Sequence, residues 1–205
     1  MRELRSCGLF RYSTPCMRIS GGELCGRKLK VPPGDKVRPT QDRVREALFS
    51  ILVSVVPDSV FIDLYAGSGA VGLEAYSRGA RSVVWVEKEP RNLALLKANV
   101  AALIPGQGEI AGCEVTRWIK GSGRGRQADI VFADPPYEVG RETGFAELME
   151  LVAANTVLRP GGIFVAEMSE ARRAEDVPDW ELLRDRVYGH TRLAVYKLEK
   201  KSETE

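Results

Sequence analysis

From residue 60 onward, the chain alternates between short apolar segments and longer segments with helical periodicity. The predicted strands are 60–64, 82–87, 109–112, 128–133 and 163–167, and the predicted helices are 67–78, 90–103 and 145–155. Repeated strand–helix units favour a mostly parallel sheet with helices packed on both of its faces. Near the C-terminus, 180–187 and 192–198 predict two more strands, joined by a hairpin turn at Gly189-His190.

The segment before the first strand has a different pattern. Met17 to Val31 predicts a short hairpin with glycines in its turn, and Thr40 is a candidate N-cap for a following helix. That helix is expected to continue to Pro57, and Arg43 and Arg45 are expected to face away from the core. Its predicted apolar stripe consists of Val44, Ala47, Leu48, Ile51, Leu52 and Val55.

Composition narrows the class of protein. The chain has 205 residues, 44% of them apolar and 28% charged, which is ordinary for a globular domain. No apolar run approaches the ~18 residues of a transmembrane helix, and no signal-peptide core is present, so we expect a cytoplasmic protein. The four cysteines form no C-x-x-C pair, so we expect no metal site.

Charge is distributed unevenly along the chain. Residues 1–45 contain 11 Lys and Arg against 4 Asp and Glu, a net charge of +7, whereas residues 46–205 contain 19 against 24, a net charge of −5. A basic arm on an acidic body indicates a polyanionic partner, and the alternative is a basic surface that contacts only solvent.

We divide the chain into four parts. Residues 1–16 are expected to be a disordered extension, with Met17 as a possible true start; 17–56 are the basic hairpin and helix arm; 57–200 are the main domain; and 201–205 are a tail.

Two motifs follow predicted strands, where open α/β sheets bind ligands. The first is Asp63-Leu-Tyr-Ala-Gly67-Ser-Gly69-Ala-Val-Gly72, whose glycines allow a ligand to approach the backbone closely. Glu87 ends the next strand, 20 residues after Gly67, where a carboxylate can accept both hydroxyl groups of a ribose. This pattern also matches a dinucleotide-binding fingerprint, so the glycine turn alone does not decide the cofactor.

The second motif is Asp134-Pro135-Pro136-Tyr137, which follows the strand 128–133. The prolines stiffen the turn. An aspartate accepts hydrogen bonds from an amino group, and a tyrosine ring offers a stacking surface for a nucleobase worth about 1–3 kcal/mol. Together they predict a pocket for a base that carries an exocyclic amine.

These motifs resemble those of S-adenosylmethionine-dependent amino-methyltransferases. The stretch from Met17 (MRISGGELCGRKL) through Arg38-Pro-Thr-Gln-Asp-Arg-Val-Arg-Glu46 is more narrowly similar to the RsmD-type bacterial 16S ribosomal RNA (guanine-N(2)-)-methyltransferases. The resemblance covers about residues 17–200. It implies a seven-stranded class I methyltransferase (Rossmann-like) sheet, S-adenosyl-L-methionine as cofactor, and 16S rRNA or the small ribosomal subunit as partner.

The resemblance also implies roles for individual residues. The cofactor-binding set is Asp63, Tyr65, Ala66, Gly67, Ser68, Gly69, Gly72, Glu87, Lys88, Glu114 and Val115, with Glu114 near the adenine amine. The catalytic set is Asp134, Pro135, Pro136 and Tyr137. The candidate RNA-binding cations are Arg27, Lys28, Lys30, Arg38, Arg43 and Arg45.

Three other function classes remain open. A DNA adenine or cytosine amino-methyltransferase shares both motifs but does not account for the Arg38-Pro-Thr block. A nucleotide-linked oxidoreductase accounts for the glycine turn and Glu87 but gives no role to Asp134-Pro-Pro-Tyr137. A non-catalytic RNA-binding module accounts for the basic arm only. His190 is expected to be a turn residue rather than a general base.

Overall fold

A computed structural model describes residues 17–31, 39–136 and 144–199. Seven strands form one sheet in the order β3-β2-β1-β4-β5-β7-β6. The strands are β1 Val60–Leu64, β2 Ser82–Val86, β3 Glu109–Ala111, β4 Ala128–Ala133, β5 Leu158–Ser169, β6 Trp180–Tyr188 and β7 Thr191–Leu198. Strands β1 to β5 pair in parallel, and β7 runs antiparallel to both of its neighbours. The predicted α/β class and C-terminal hairpin are confirmed.

Five helices are present in the described part of the chain: α1 Pro39–Ile51, α2 Ala70–Ser77, α3 Pro90–Leu103, α4 Val115–Lys120 and α5 Phe145–Ala154. The short helix α4 was not predicted, because six residues are too few to show a clear apolar period. The prediction that α1 continues to Pro57 is wrong. The helix ends at Ile51 and turns follow it, so Val55 is exposed, whereas Leu52 and Val56 are buried.

The sheet has an apolar cluster on each face. One face packs β1, β4 and β5 against α4 and α5, with Trp118 and Phe164 among its buried side chains. The other face packs the same strands against the hairpin and α1 to α3, with Phe61, Phe132 and Val165 in its core. Strand order reverses between β1 and β4, so the chain has its topological switch point there.

The basic hairpin, residues 17–31, packs onto this second face as part of the same core. Arg18 and Lys28 form an antiparallel bridge, and the side chains of Ile19 and Leu29 are buried. Asn99 on α3 accepts a hydrogen bond from the Lys30 amide at 2.9 Å, and its Nδ2 donates to the carbonyls of Lys30 and Ser68, each at 2.9 Å. One buried amide thus connects the hairpin to the glycine turn.

A buried carboxylate on α2 makes the second attachment. Glu74 is fully buried, and it accepts hydrogen bonds from the Ser20 amide and hydroxyl at 2.8 Å each. Its charge is balanced by Arg78 at 2.8 Å and by Arg45 at 3.3 Å. Because removal of a buried charge leaves its partners unpaired, the hairpin, α1 and α2 depend on this one side chain.

We therefore expect Glu74→Ala to lower the free energy of unfolding by about 3–5 kcal/mol, the range for breaking a buried ion pair. Urea denaturation followed by circular dichroism measures this. Glu46→Ala is the matched control, because Glu46 is exposed on α1 and should change stability by about 0.5 kcal/mol or less. Equal unfolding midpoints for the two variants would contradict a structural role for Glu74.

Candidate active site

A cavity of about 270 Å³ lies at the switch point, where the carboxyl ends of β1 and β4 meet. The glycine turn forms one wall, with Ala66, Gly67 and Ser68 among its lining residues. The hairpin contributes Met17 and Val31. Two motifs that lie far apart in the sequence, the glycine turn and the Asp134 turn, therefore border one cavity.

Two positions in the glycine turn require glycine for its conformation or its small size. Gly69 precedes α2 in the left-handed region, with φ of 83°, and an added Cβ would collide with Leu96. A Cβ on Gly72 would collide with Trp85. The first glycine meets a conformational demand and the second permits close helix–strand packing, as glycine does in nucleotide-binding turns.

Asp63 lies at the bottom of the cavity, one residue before the end of β1. Its Oδ2 accepts a hydrogen bond from the Gly72 amide at 2.9 Å, which ties the strand to the first turn of α2. Burial raises the pKa of Asp63 to about 8; the Gly72 hydrogen bond opposes this rise, and the charges of Asp134 and Glu87 add to it.

Glu87 follows β2 and is 7% exposed. Its Oε2 accepts from the Gly67 amide at 2.8 Å, and its Oε1 accepts from the Glu89 amide at 2.7 Å. Each oxygen of an ionised carboxylate has a second acceptor site, so Glu87 can hold the turn and still accept hydroxyl groups from a ligand.

Three residues of the predicted cofactor-binding set, Lys88, Glu114 and Val115, do not line the cavity. Glu114 is the N-cap of α4 and accepts from the Arg117 amide at 3.0 Å. Desolvation alone would raise the pKa of Glu114, but hydrogen bonds from Thr116 and Arg117 outweigh it and lower the pKa. Lys88 is exposed and Val115 is buried in the core, so Val115 offers a ligand backbone or apolar surface only.

Tyr65 borders the cavity between β1 and the glycine turn. It is half-buried and has a φ of 61°, which is uncommon for a non-glycine residue and occurs often at functional sites. Desolvation, with a contribution from Glu114, raises the pKa of Tyr65 to about 12, so its hydroxyl group stays protonated.

Asp134 opens onto the cavity from the end of β4. The residue is solvent-exposed there, yet the surrounding protein raises the pKa of Asp134 to about 7 by desolvation. Pro135 is half-buried and Pro136 is exposed. Tyr137 lies outside the described residues, so its predicted stacking role stays a prediction.

The sequence reasoning missed Glu167, which lines the same cavity near the end of β5. Burial raises its pKa well above the ordinary value, the charges of Asp134 and Asp63 add to this, and Arg45 opposes it. The signal was available: Glu167 closes an apolar strand as Glu87 does. Glu167 becomes a candidate site residue only once the strand order is known, because that order places β5 beside β4.

The predicted RNA-binding cations separate into two groups. Arg27, Lys28, Lys30 and Arg43 are exposed, and Arg38 lies outside the described residues. The expectation that Arg45 faces away from the core is wrong. Arg45 is 5% exposed, lines the cavity, and its Nη2 donates to the Arg18 carbonyl at 2.6 Å and to Asp42 at 2.9 Å. The buried Glu74 carboxylate draws this guanidinium inward.

Other sequence expectations have simpler outcomes. His190 follows Gly189 in the β6–β7 turn, its exposed ring contacts Glu170 at 2.7 Å, and it does not line the cavity. Residues 1–16 and 201–205 lie outside the described ranges. Within the described ranges, His, Cys, Asp and Glu side chains form no group suited to a metal ion, and no helix is long and apolar enough to span a membrane.

The sequence from residue 17 to 197 matches the family described as conserved hypothetical protein 95. The chain belongs to this family. It is 34% identical over 190 residues to the ribosomal RNA small subunit methyltransferase D of Escherichia coli strain K12, covering 92% of this chain and 93% of that protein. It is 31% identical over 185 residues to the putative rRNA methyltransferase YlbH of Bacillus subtilis strain 168, covering 88% and 98%. The resemblance to the RsmD-type family is confirmed.

Solved structures agree on the fold. The putative methyltransferase yhhF from Escherichia coli superimposes with a TM-score of 0.79 at 32% identity, covering 90% of this chain and 99% of that one. An RNA methyltransferase from Salinibacter ruber in complex with S-adenosyl-L-homocysteine has a TM-score of 0.60 at 15% identity, covering 82% and 98%, and this likeness concerns the fold alone. The expected class I methyltransferase (Rossmann-like) sheet is confirmed.

The raised pKa of Asp63 predicts how stability depends on pH. A carboxyl group whose pKa is about 8 in the folded protein and about 4 when unfolded binds its proton more tightly in the folded state. The ligand-free protein should therefore lose stability as pH rises from about 4 to 8, and Asp63→Asn should flatten that decline. Unfolding free energies from urea titrations at several pH values measure it.

Asp176→Asn is the matched control, because Asp176 is exposed and should leave the wild-type slope unchanged. If Asp63→Asn and the wild type declined with the same slope, Asp63 would not hold a proton in the folded state.

Proposed function

We propose that this protein transfers a methyl group from S-adenosyl-L-methionine to the exocyclic N2 amine of a guanine in 16S rRNA. The observation that carries the proposal is the meeting of the glycine turn and the Asp134 turn at one cavity. Membership of a family with ribosomal RNA small subunit methyltransferase D relatives supports the reaction class and the RNA substrate.

The cavity suits this donor chemically. Asp63, Asp134 and Glu167 give it an acidic lining, which favours a cationic ligand over an anionic one. Glu87 beside the turn offers acceptor sites for ribose hydroxyls, and the Gly67–Gly69 backbone leaves room for close approach. S-adenosyl-L-methionine would supply an activated, positively charged methyl donor. A dinucleotide, whose phosphates would face these carboxylates, fits less well.

The acceptor amine needs alignment and a place for its proton. The lone pair of the guanine N2 is delocalised into the ring, so the amine is a weak nucleophile. Asp134, together with the carbonyl of Pro135, is placed to accept its hydrogen atoms and to direct the lone pair toward the methyl carbon. When the carbon–nitrogen bond forms and the carbon–sulfur bond breaks, the nitrogen must lose one proton. Asp134, with a pKa of about 7, accepts that proton and releases it to solvent.

The RNA must present an unstacked base to this cavity. A paired guanine has its amine directed at its partner, so the target is single-stranded or flipped out. The exposed cations Arg27, Lys28 and Lys30 lie on the hairpin whose ends, Met17 and Val31, border the cavity. They are placed to hold phosphates beside the opening, while the shape of the folded RNA provides selectivity.

The decisive test is transfer of labelled methyl groups to small ribosomal subunits from a strain that lacks this gene, followed by mapping of the modified base. Naked 16S rRNA and duplex DNA serve as parallel substrates. Label on guanine N2 of the rRNA is the expected result. Label on DNA adenine or cytosine, or none on RNA, would overturn the proposal.

In the same assay, Asp134→Asn should lower kcat by about a hundredfold or more, because it misdirects the amine and cannot take its proton. Calorimetry should show cofactor affinity within a few-fold of the wild type. Glu150→Gln on α5 is the control, because Glu150 is exposed on the other face of the sheet and should keep wild-type turnover. Undiminished turnover in Asp134→Asn would remove Asp134 from catalysis.

The acidic lining also predicts a pH-dependent preference between donor and product. S-adenosyl-L-homocysteine lacks the positive sulfonium but shares the other groups of the donor, so the ratio of the two affinities isolates that charge. As Asp63 and Asp134 ionise between about pH 6 and 8.5, the preference for the donor should increase. Calorimetry with both ligands across this range measures it. A ratio that does not change with pH would show that these carboxylates do not respond to the donor's charge.

RNA affinity should depend on the hairpin. Replacing Arg27, Lys28 and Lys30 together with Gln should weaken rRNA binding, because fewer phosphates are then neutralised. The log–log salt slope should decrease by roughly 0.7–0.9 for each phosphate that the variant no longer neutralises. Fluorescence anisotropy at several KCl concentrations measures both quantities.

The matched control replaces three cations elsewhere, Lys120, Arg184 and Arg186, which are also exposed. If the two triple variants bound rRNA equally well and with the same salt slope, the hairpin would be a basic surface without a specific role.

A further inference from the structure

Two carboxylates occupy neighbouring positions at the end of the sheet. Strands β4 and β5 pair in parallel with Phe132 opposite Val165 and Ala133 opposite Ala166. Asp134 directly follows β4, and Glu167 is the next residue of β5. Side chains alternate along a strand, so both follow Phe132 and Val165 on the face that carries the cavity, and both line it.

Glu167 has no hydrogen bond or ion pair to any residue within 17–31, 39–136 and 144–199. Burial and the charges of Asp134 and Asp63 raise the pKa of Glu167, and the nearby cation Arg45 opposes that rise. Arg45 is 5% exposed and lines the same cavity, and its buried Nε has no hydrogen-bond partner in these ranges, although it lies 3.3 Å from Glu74. The cavity wall thus carries two carboxyl groups, Asp134 and Glu167, together with the buried cation Arg45.

The edge of guanine that carries N2 presents two kinds of donor side by side, the N1–H and the N2 amine. Adenine and cytosine present an acceptor nitrogen beside their amines instead. Adjacent strands are about 4.8 Å apart, so two carboxylates from neighbouring strands can each accept from one of two adjacent donors. An ionised carboxylate facing an acceptor nitrogen gains no hydrogen bond and repels its lone pair.

We infer that Glu167 recognises the target base by accepting the guanine N1–H, while Asp134 holds the N2 amine. The inference rests on the proposed function and names the residue that selects guanine at that site. Glu167 must be ionised for this role, since a protonated carboxyl would donate to the ring nitrogen of adenine or cytosine. In the empty cavity, burial and the charges of Asp134 and Asp63 raise the pKa of Glu167, and the Arg45 guanidinium opposes that rise. The hydrogen bond from the guanine N1–H and the positive charge of the methyl donor would lower this pKa and favour ionised Glu167 when both substrates are bound.

The test changes the hydrogen-bonding group on the base and, separately, the hydrogen-bonding group at residue 167. The substrate RNA carries either guanine or 2-aminopurine at the mapped position; 2-aminopurine keeps the N2 amine but has an acceptor at N1. The enzyme is the wild type or Glu167→Gln, whose amide can donate to that acceptor. The wild type should prefer guanine by tenfold or more in kcat/KM, as expected for loss of a hydrogen bond to a charged group. Glu167→Gln should reduce or reverse this preference by at least tenfold.

Because both enzymes receive the same two RNAs, changes in RNA structure cancel in the ratio of preferences. Glu150→Gln should retain the wild-type preference. If Glu167→Gln does not fold, Glu167→Ala replaces it and should lose activity on guanine but stay within about threefold of the wild type on 2-aminopurine. An unchanged guanine preference in the folded Glu167 variant overturns the inference alone. Absence of guanine methylation by the wild type overturns the proposed function instead.

Discussion

The sheet places three carboxylates on one face at the edge of a small cavity, and their mutual repulsion has to be compensated. Asp63, Asp134 and Glu167 lie at the ends of three adjacent parallel strands, so the strand register alone brings them together. Burial raises the pKa values of all three carboxyl groups, and neighbouring carboxylates add to the rise at Asp63 and Glu167. The Gly72 amide opposes the rise at Asp63, the Arg45 guanidinium opposes it at Glu167, and retained protons reduce the remaining repulsion. A bound cation would complete this compensation, so the same electrostatics that destabilise the ligand-free cavity favour a positively charged donor.

The hairpin cannot be treated as an appendage to this site. Glu74 and Asn99, both buried, bind its backbone to α2 and α3, and Asn99 also holds the carbonyl of Ser68 in the glycine turn. Contacts that hold the basic surface in place therefore also support the wall of the cavity. Substitutions at exposed hairpin cations leave these backbone contacts intact, whereas substitutions at Glu74 or Asn99 are expected to affect folding and both binding surfaces together.

Much of the fold was predictable because each strand is a short apolar run with clear boundaries, and the motifs follow strands. Asp63, Glu87 and Asp134 were predicted as site residues for this reason, and Asp63 and Asp134 line the cavity. Arg45 was misjudged because helical periodicity does not reveal a buried acid, Glu74, on another helix. Glu167 was missed because strand 163–167 has no motif after it. Its importance depends on pairing between β4 and β5, a long-range fact that no local pattern contains.

An acidic cavity is compatible with an RNA substrate, even though the net charge of −5 on residues 46–205 has the same sign as RNA phosphates. In the proposed function, Asp134 and Glu167 would repel RNA phosphates and keep the backbone away from the cavity, whereas they would attract a guanine edge made of hydrogen-bond donors. The hairpin cations are exposed, and in the same proposal they would act on phosphates over several ångströms outside the opening. This separation of charge would admit the base while it holds the backbone at the rim, which is the arrangement that methylation of a flipped nucleotide requires.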